Sequence, residues 1–479
     1  MERRSFLRPL TIVVATFGVI WAITIMDWRA SNRVPNSVDV VLYMVALPIA
    51  LLVAYALLRV SIDAIKRRAK PAAAATPAAA ETSADEPADP AFAYRVAVLD
   101  SGVMFAAGDT ASALIDAAKG KQRATLHPQW RDASDAQVFA APVEAIDLAA
   151  IDDTLPDTMQ AWPEAHRRAL WLSETLASKM LTEHFDRLLA AQKPAESARA
   201  PATPATVLRL EWLLPARWSD NERQAAHAWL AGRFTAQGWP APQLQVAPRA
   251  VDSGLAALKR LDELNVQFNR HPDSAHCLLL ASDSHMDTST IAQWDAAHQL
   301  HGAKYPEGRV PGEGASAVLL GAYRENSGDE SMLLHRMVSA QRAKPIDAPG
   351  KAQDEIVRES LEQALSRAPD VSPQSLMHVV SDTDMRPSRY AEALQIAEYA
   401  APENEASAAL LPLACANGDC GAAIALATVA AAAALAVQSQ QPCMVLSHHH
   451  ASARGVILVS PPPAASEAQA AASNAPSLA

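Results

Sequence analysis

The chain has 479 residues, half of them apolar and 19% charged, with 41 Lys+Arg against 52 Asp+Glu and a formal net charge of −11. Such a chain can bury a sizeable core, in two or three domains or one large one, and is not disordered throughout. The acidic balance argues against a nucleic-acid binder, and four cysteines without CxxC spacing exclude a disulfide scaffold or a cysteine-rich zinc module.

The first elements read as a membrane anchor, placed at residues 1–65. Leu10 to Met26 carries no charge, and Val38 to Leu58 is apolar apart from Asp39. Each run approaches the roughly 20 residues needed to cross a bilayer. Arg3, Arg4 and Arg8 precede the first span, and Arg59, Lys66, Arg67, Arg68 and Lys70 follow the second, whereas the loop between has only Arg29 and Arg33. By the positive-inside rule both ends face the cytoplasm, so a two-helix hairpin in a bacterial inner membrane is expected. Residues 66–92 are Ala/Pro-rich and read as a tether, Ala191–Pro204 as a surface loop, and 461–479 as a disordered tail.

Between these segments the pattern alternates. Strands are expected at Tyr94–Val103, Val207–Leu214, Gln243–Ala247, His276–Ser282 and Ala315–Ala322, with helices at 111–120, His166–Leu189, from Ser219, and Asp252–Leu264. A shorter series follows. It has a helix at Lys351–Arg367, a strand at Leu376–Ser381, a helix at Tyr390–Tyr399, an Ala-rich helix at Gly421–Gln438, and a closing hairpin of Cys443–Ser447 with Gly455–Ser460. The fold class is α/β with a largely buried sheet, and both parts end in two strands, which suggests an internal duplication.

Particular residues carry a family resemblance. Cys277 to Ala322, with Val310-Pro311-Gly312-Glu313-Gly314-Ala315, resembles the end of the first half of thiolase-like β-ketoacyl synthases, with Pro311, Gly312, Glu313 and Gly314 read as a structural turn. Arg95 to Leu114, His378 to Leu394 and Asn417 to Ala432 are similar to other segments of that family, in the same order. The resemblance implies a duplicated five-layer thiolase-like fold, its first half at 93–345 and its second at 346–460. It also implies a cysteine nucleophile at the start of the central helix of the first half and two histidines in the second half. Those places hold Asp252 or Ser253, then Asp382 and Asp384, then Asp419. A thiolate and two imidazoles are what acyl transfer and decarboxylation need, so a catalytically inactive protein is expected.

The remaining chemistry-bearing groups read more plainly. His448, His449 and His450 are weak metal candidates and better suited to a polar hairpin tip, since neighbours on a strand alternate faces. Asp283, His285, Asp287, His298 and His301 read as turn formers and a solvated helix face, and Cys415 and Cys420 as small apolar fillers. Trp212, Trp218 and Trp229 fit either a core or a partner surface. No GxxxxGK[ST], GxGxxG, GxSxG or HExxH pattern occurs, and no cofactor is expected.

A second resemblance spans Leu208 to Ala322. Its order of strand, Trp-rich turn, helix and two strands is similar to adapter proteins that accompany lipase effectors of bacterial type VI secretion. The expected function is therefore a membrane-anchored adapter whose partner is an effector or secretion component. The alternative is an acyl-transfer or acyl-binding enzyme using Ser253. A homodimer is a family-level implication.

Overall fold

The computed structural model describes residues 90–191, 206–324, 331–348 and 355–463, together with Trp21 and Met26, which are helical. The chain divides into two compact units, Met1–Pro87 and Ala88–Ala479. Apart from Trp21 and Met26, the expected spans at 10–26 and 38–58 lie outside the described residues, as do most of the tether and the tail.

The body starts with β1 (Arg95–Phe105), α1 (Ala111–Lys119), a hairpin of β2 (Thr125–Arg131) and β3 (Gln137–Ala140), two short helices α2 (Leu148–Asp152) and α3 (Asp157–Gln160), and the long α4 (Glu164–Ala191). There follow β4 (Leu208–Pro215), α5 (Asp220–Ala236), β5 (Leu244–Val251), α6 (Gly254–Arg270), β6 (His276–Ser284), α7 (Thr288–Ala296) and β7 (Glu313–Ala322). The later part has β8 (Met332–His335), β9 (Val338–Gln341), α8 (Glu355–Ser366), β10 (His378–Ser381), α9 (Pro387–Ala400), α10 (Ala406–Ala409), β11 (Leu410–Pro412) and α11 (Ala414–Asn417). It ends with α12 (Ala422–Ser439), β12 (Cys443–Ser447) and β13 (Ala453–Ser460).

The duplication is explicit in the sheet. Its order is β11-β10-β12-β13-β8-β1-β7-β6-β4-β5, with β9 pairing β13. In the first copy β4 runs parallel to β5 and β6, β7 is antiparallel to β6, and β1 is antiparallel to β7. In the second copy β10, β11, β12, β13 and β8 repeat the same neighbours and directions. By strand equivalence the second copy therefore opens at β8, ahead of residue 346, and the two copies join edge to edge through β1 and β8.

Side-chain alternation builds three cores from this sheet. Leu213, Leu279, Val318, Val380, Val445 and Ile457 turn to a common central core, while Leu210, Trp212, Leu278 and Leu319 face outward into a second core and Val379, Met444, Leu446 and Leu458 into a third. The central core holds α6 and α12, and the outer ones are covered by α4 and α5 or by α8 and α9, giving helix–sheet–helix–sheet–helix layers. Helix α12 is apolar all round up to Ala436 because it is covered there by both sheets and α6, and its alanines let both sheet faces approach. Among the described residues it alone is long and apolar enough to cross a membrane, but it is a buried core helix.

One expectation is corrected here. Pro311, Gly312, Glu313 and Gly314 form no turn: Pro311 and Gly312 make isolated bridges to Asp419 and Ala141, and Glu313 and Gly314 already belong to β7. The glycines serve close approach instead. A Cβ on Gly312 would lie 2.1 Å from the Asn417 carbonyl oxygen, and one on Gly314 2.2 Å from the Phe105 ring. Glu313 is fully buried between Arg168 (Nε to Oε2 2.7 Å, Nη2 to Oε1 2.6 Å), the Val143 N–H and the Ser284 hydroxyl.

Candidate functional site

The carboxyl ends of β4, β5, β6, β10 and β12 open on one side of the body, where α6 and α12 begin. Open α/β sheets bind ligands at such an edge. A cavity of about 820 Å³ lies there, lined by residues including Asp252, Ser253, Asp283, Asp382, Asp419 and His449. The structure thus brings four of the five positions singled out from sequence onto one wall, and the fifth, Asp384, lies directly behind them.

The two helices start alike. Asp252-Ser253-Gly254 opens α6 and Asp419-Cys420-Gly421 opens α12, a local echo of the duplication. Ser253 caps its helix: its Oγ accepts the Ala256 N–H at 3.2 Å while its hydroxyl donates to Asp252 Oδ1 at 2.8 Å. Gly421 has φ +55°, and a Cβ there would lie 2.3 Å from Asp283 Oδ2, so both conformation and space demand glycine. Cys420 points away from the cavity and donates its S–H to the Asn417 carbonyl. No thiol lines the cavity among the described residues, and burial pushes all four upward, Cys277 to about 11 and Cys415 and Cys443 to about 12.

The carboxylates are individually secured. Asp382, 1% exposed, accepts the Ser447 hydroxyl at 2.7 Å and the His448 N–H at 2.9 Å. Asp384 receives the Arg386 guanidinium at 2.8 Å, and Asp419 accepts the Gly421 N–H at 3.1 Å and Arg309 at 3.2 Å. His449 Nε2 stands 3.4 Å from Asp384 and 3.7 Å from Asp419. Burial would raise both carboxyls. For Asp384 the His449 and Arg386 contacts outweigh it. For Asp419 the charges of His449, His285 and Arg309 do so, and both groups sit well below the usual carboxylate range.

The histidine tract does not converge on one point. His448 is fully buried, with Nδ1 2.9 Å from Glu392 and Nε2 2.5 Å from the Thr383 hydroxyl. His449 and His450 both line the cavity, and the exposed His450 also accepts the Ser452 and Ala453 N–H groups. Of three consecutive rings, one thus serves a core network and two the cavity, the last also holding a loop.

The acidic and histidine set after β6 also departs from a solvated face. Asp283, His285 and Asp287 are buried. Asp283 is held by Arg217 (Nη1 to Oδ2 2.9 Å), His285 Nδ1 lies 2.8 Å from the Asp419 carbonyl, and Asp287 caps α7. His298 reaches the cavity, and His301 Nδ1 is 3.0 Å from the Pro306 carbonyl. Trp212, Trp218 and Trp229 are core residues.

Two features had no sequence signal. Arg217, Arg309, Arg386 and Arg389 line the cavity from three separate segments, the last two both at the start of α9. Helix α7 divides it from an open cleft of about 1040 Å³ floored by the β2–β3 hairpin, with Trp130, Phe139, Ile291 and Tyr305 on its walls. Elsewhere, Asp100, Glu183 and His184 bring three ligand atoms within 4.8 Å of one another, a set able to hold a metal ion.

A duplicated sheet, two helices starting at a shared cavity and outer helices on both faces define a thiolase-like fold of the ketosynthase kind. Solved structures agree. A type II polyketide ketosynthase in complex with its acyl-carrier protein aligns at TM-score 0.52 and 12% identity, covering 77% of this chain and all of that one. A β-ketoacyl synthase from Burkholderia phymatum STM815 gives 0.50 and 11%, over 77% and 100% of the two chains. The oxazolomycin ketosynthase domain from Streptomyces albus JA3453 gives 0.51 and 12%, over 78% and 75%. At these identities the likeness establishes the fold. No protein-family model matches the sequence. No curated protein matches it either.

Proposed function

We propose that this chain is a non-condensing, protein-binding member of the ketosynthase fold. One observation carries the reading. At the positions where the resemblance to condensing enzymes puts a thiol and two imidazoles, the cavity presents a helix-capping serine hydroxyl and aspartates. The anionic state of Asp384 and Asp419 is reinforced by their neighbours. Decarboxylative condensation builds negative charge on oxygen, which hydrogen-bond donors stabilise and fixed carboxylates oppose. Four imidazoles also reach the lining, His285, His298, His449 and His450, and of these His449 stands 3.4 and 3.7 Å from the two carboxylates without a hydrogen bond from its Nε2.

In this reading residues 1–65 form a two-helix anchor in the bacterial inner membrane, the body lies on the cytoplasmic side, and it loads an effector or another type VI secretion component. The charge asymmetry around the apolar runs and the adapter-like stretch from Leu208 to Ala322 support these parts. Incubation of the full chain with acyl-CoA and acyl-carrier donors, followed by intact-mass analysis, should give no adduct. A covalent adduct at Ser253 would establish the acyl-transfer alternative instead. Native pull-down from membranes should recover an effector or spike component, and recovery of neither sinks the adapter role.

A further inference from the structure

Of the two ends of the sheet order, β11 is three buried residues, whereas β5 is a strand of eight. A strand of that length at an edge is a template on which another strand can pair. The direction of its backbone groups follows from its bonds to β4. The Gln243 carbonyl accepts the Val207 and Leu208 N–H groups, and the Val251 carbonyl accepts the Ala216 N–H at 2.7 Å. Backbone groups alternate sides along a strand, so the odd-numbered residues face β4, and Leu244, Val246, Pro248 and Ala250 present theirs outward.

Three of those outward positions are closed. The Leu244 N–H donates to the Pro240 carbonyl at 3.0 Å, and the Val246 carbonyl accepts from His227 Nε2, on α5, at 3.0 Å. Pro248, in the middle of the outward row, has no N–H at all, the arrangement by which an edge strand tolerates proline. An incoming strand would find one donor absent and one donor and one acceptor already bonded, with the His227 ring standing where its own N–H would bond.

We propose that β5 is a closed end of the sheet, so that two molecules of this chain do not join their sheets there, and that Pro248 and His227 are the residues that close it. The inference goes beyond the proposed function and does not rest on it. A homodimer of the kind the family resemblance implies has to use another surface.

Cysteine crosslinking of the full chain in detergent tests this, because the four native thiols are buried and an introduced one is the reactive site. Ala250→Cys places a thiol on the exposed outward row of β5, and Ser366→Cys places an exposed control on α8. With a homobifunctional maleimide, Ala250→Cys should give no more linked dimer than Ser366→Cys. Adding Pro248→Val and His227→Ala should raise the Ala250→Cys dimer about tenfold, the scale of two restored backbone hydrogen bonds, and leave the Ser366→Cys control unchanged. Thermal melting shows whether the combined variant is folded, and either substitution alone takes its place, with a smaller rise, if it is not. A dimer fraction at Ala250→Cys well above the control before the edge is opened overturns the proposal, and so does the absence of any rise afterwards. No acyl chemistry enters the measurement, so failure here is distinguishable from failure of the non-condensing reading.

Discussion

His449 Nε2 lies 3.4 Å from Asp384 Oδ2, an imidazole from the loop after β12 meeting a carboxylate from the loop after β10. A further 3.7 Å separates the same nitrogen from Asp419, in front of α12. One ring therefore ties three segments of the second copy together at the cavity wall. His449→Ala should lower stability by up to about 1 kcal/mol, because two carboxylates lose an ion-pair contact that is not a hydrogen bond. Urea denaturation checks this, and an unchanged midpoint would show the contact to be idle.

Glycine substitutions should split by surroundings. Gly312→Ala places a methyl 2.1 Å from the Asn417 carbonyl oxygen, backbone that cannot rotate away, so a loss of about 3 kcal/mol or failure to fold is expected. Gly232 lies inside α5 with nothing within 4 Å of its missing Cβ. Gly232→Ala should stabilise by about 0.5–1 kcal/mol through helix propensity. Paired thermal melts decide it, and the same sign for both variants would contradict the packing described.

The native thiols should be inert. All four are buried and pushed upward by desolvation, so iodoacetamide under native conditions should modify none of them. Ser253→Cys puts a thiol on the cavity wall at a helix start and should react at least ~10-fold faster than any native cysteine. It should still form no condensation product, because the aspartates remain. Peptide mass spectrometry and a product assay read the two halves of this prediction.

Acid should weaken the fold through identifiable groups. Burial would raise Glu392, but contacts to His448 and Arg454 outweigh it and bring it down to about 2, and Asp384 is held low in the same manner. A carboxyl whose folded pKa lies below its unfolded value adds stability in full above the unfolded pKa, and that stability is lost as pH falls through the folded one. Urea midpoints should therefore drop between about pH 4.5 and 2. Glu392→Gln should be less stable at neutral pH and show a shallower acid limb. An equally steep limb would mean that Glu392 is not part of the acid response.

Much of this architecture was legible before the coordinates. Strands such as His276–Ser284 and Glu313–Ala322 contain continuous apolar runs at Cys277–Ala281 and Ala317–Ala322, and Ser219 with Glu222 spells the capping box that starts α5. The elements missed were short or weakly patterned. β2 contains Pro128 and is mostly exposed, while β8 and β9 have four residues each and β11 three, too few for a period to show. Asp382, Asp384 and Asp419 could be placed beside one another through the family resemblance alone.

By itself, then, the sequence determined the longer strands and helices, because period and capping act over a few residues. The family resemblance added the expectation that Asp252 or Ser253 and three aspartates stand where a thiol and imidazoles would be needed. Only the tertiary structure decided that β8 opens a second copy with the directions of the first. The tertiary structure alone also gave His448 to a buried network and His449 and His450 to the cavity, and brought four arginines from three segments to one wall. Those outcomes depend on contacts between residues up to hundreds of positions apart, and charge pairing across such distances leaves no local pattern to read.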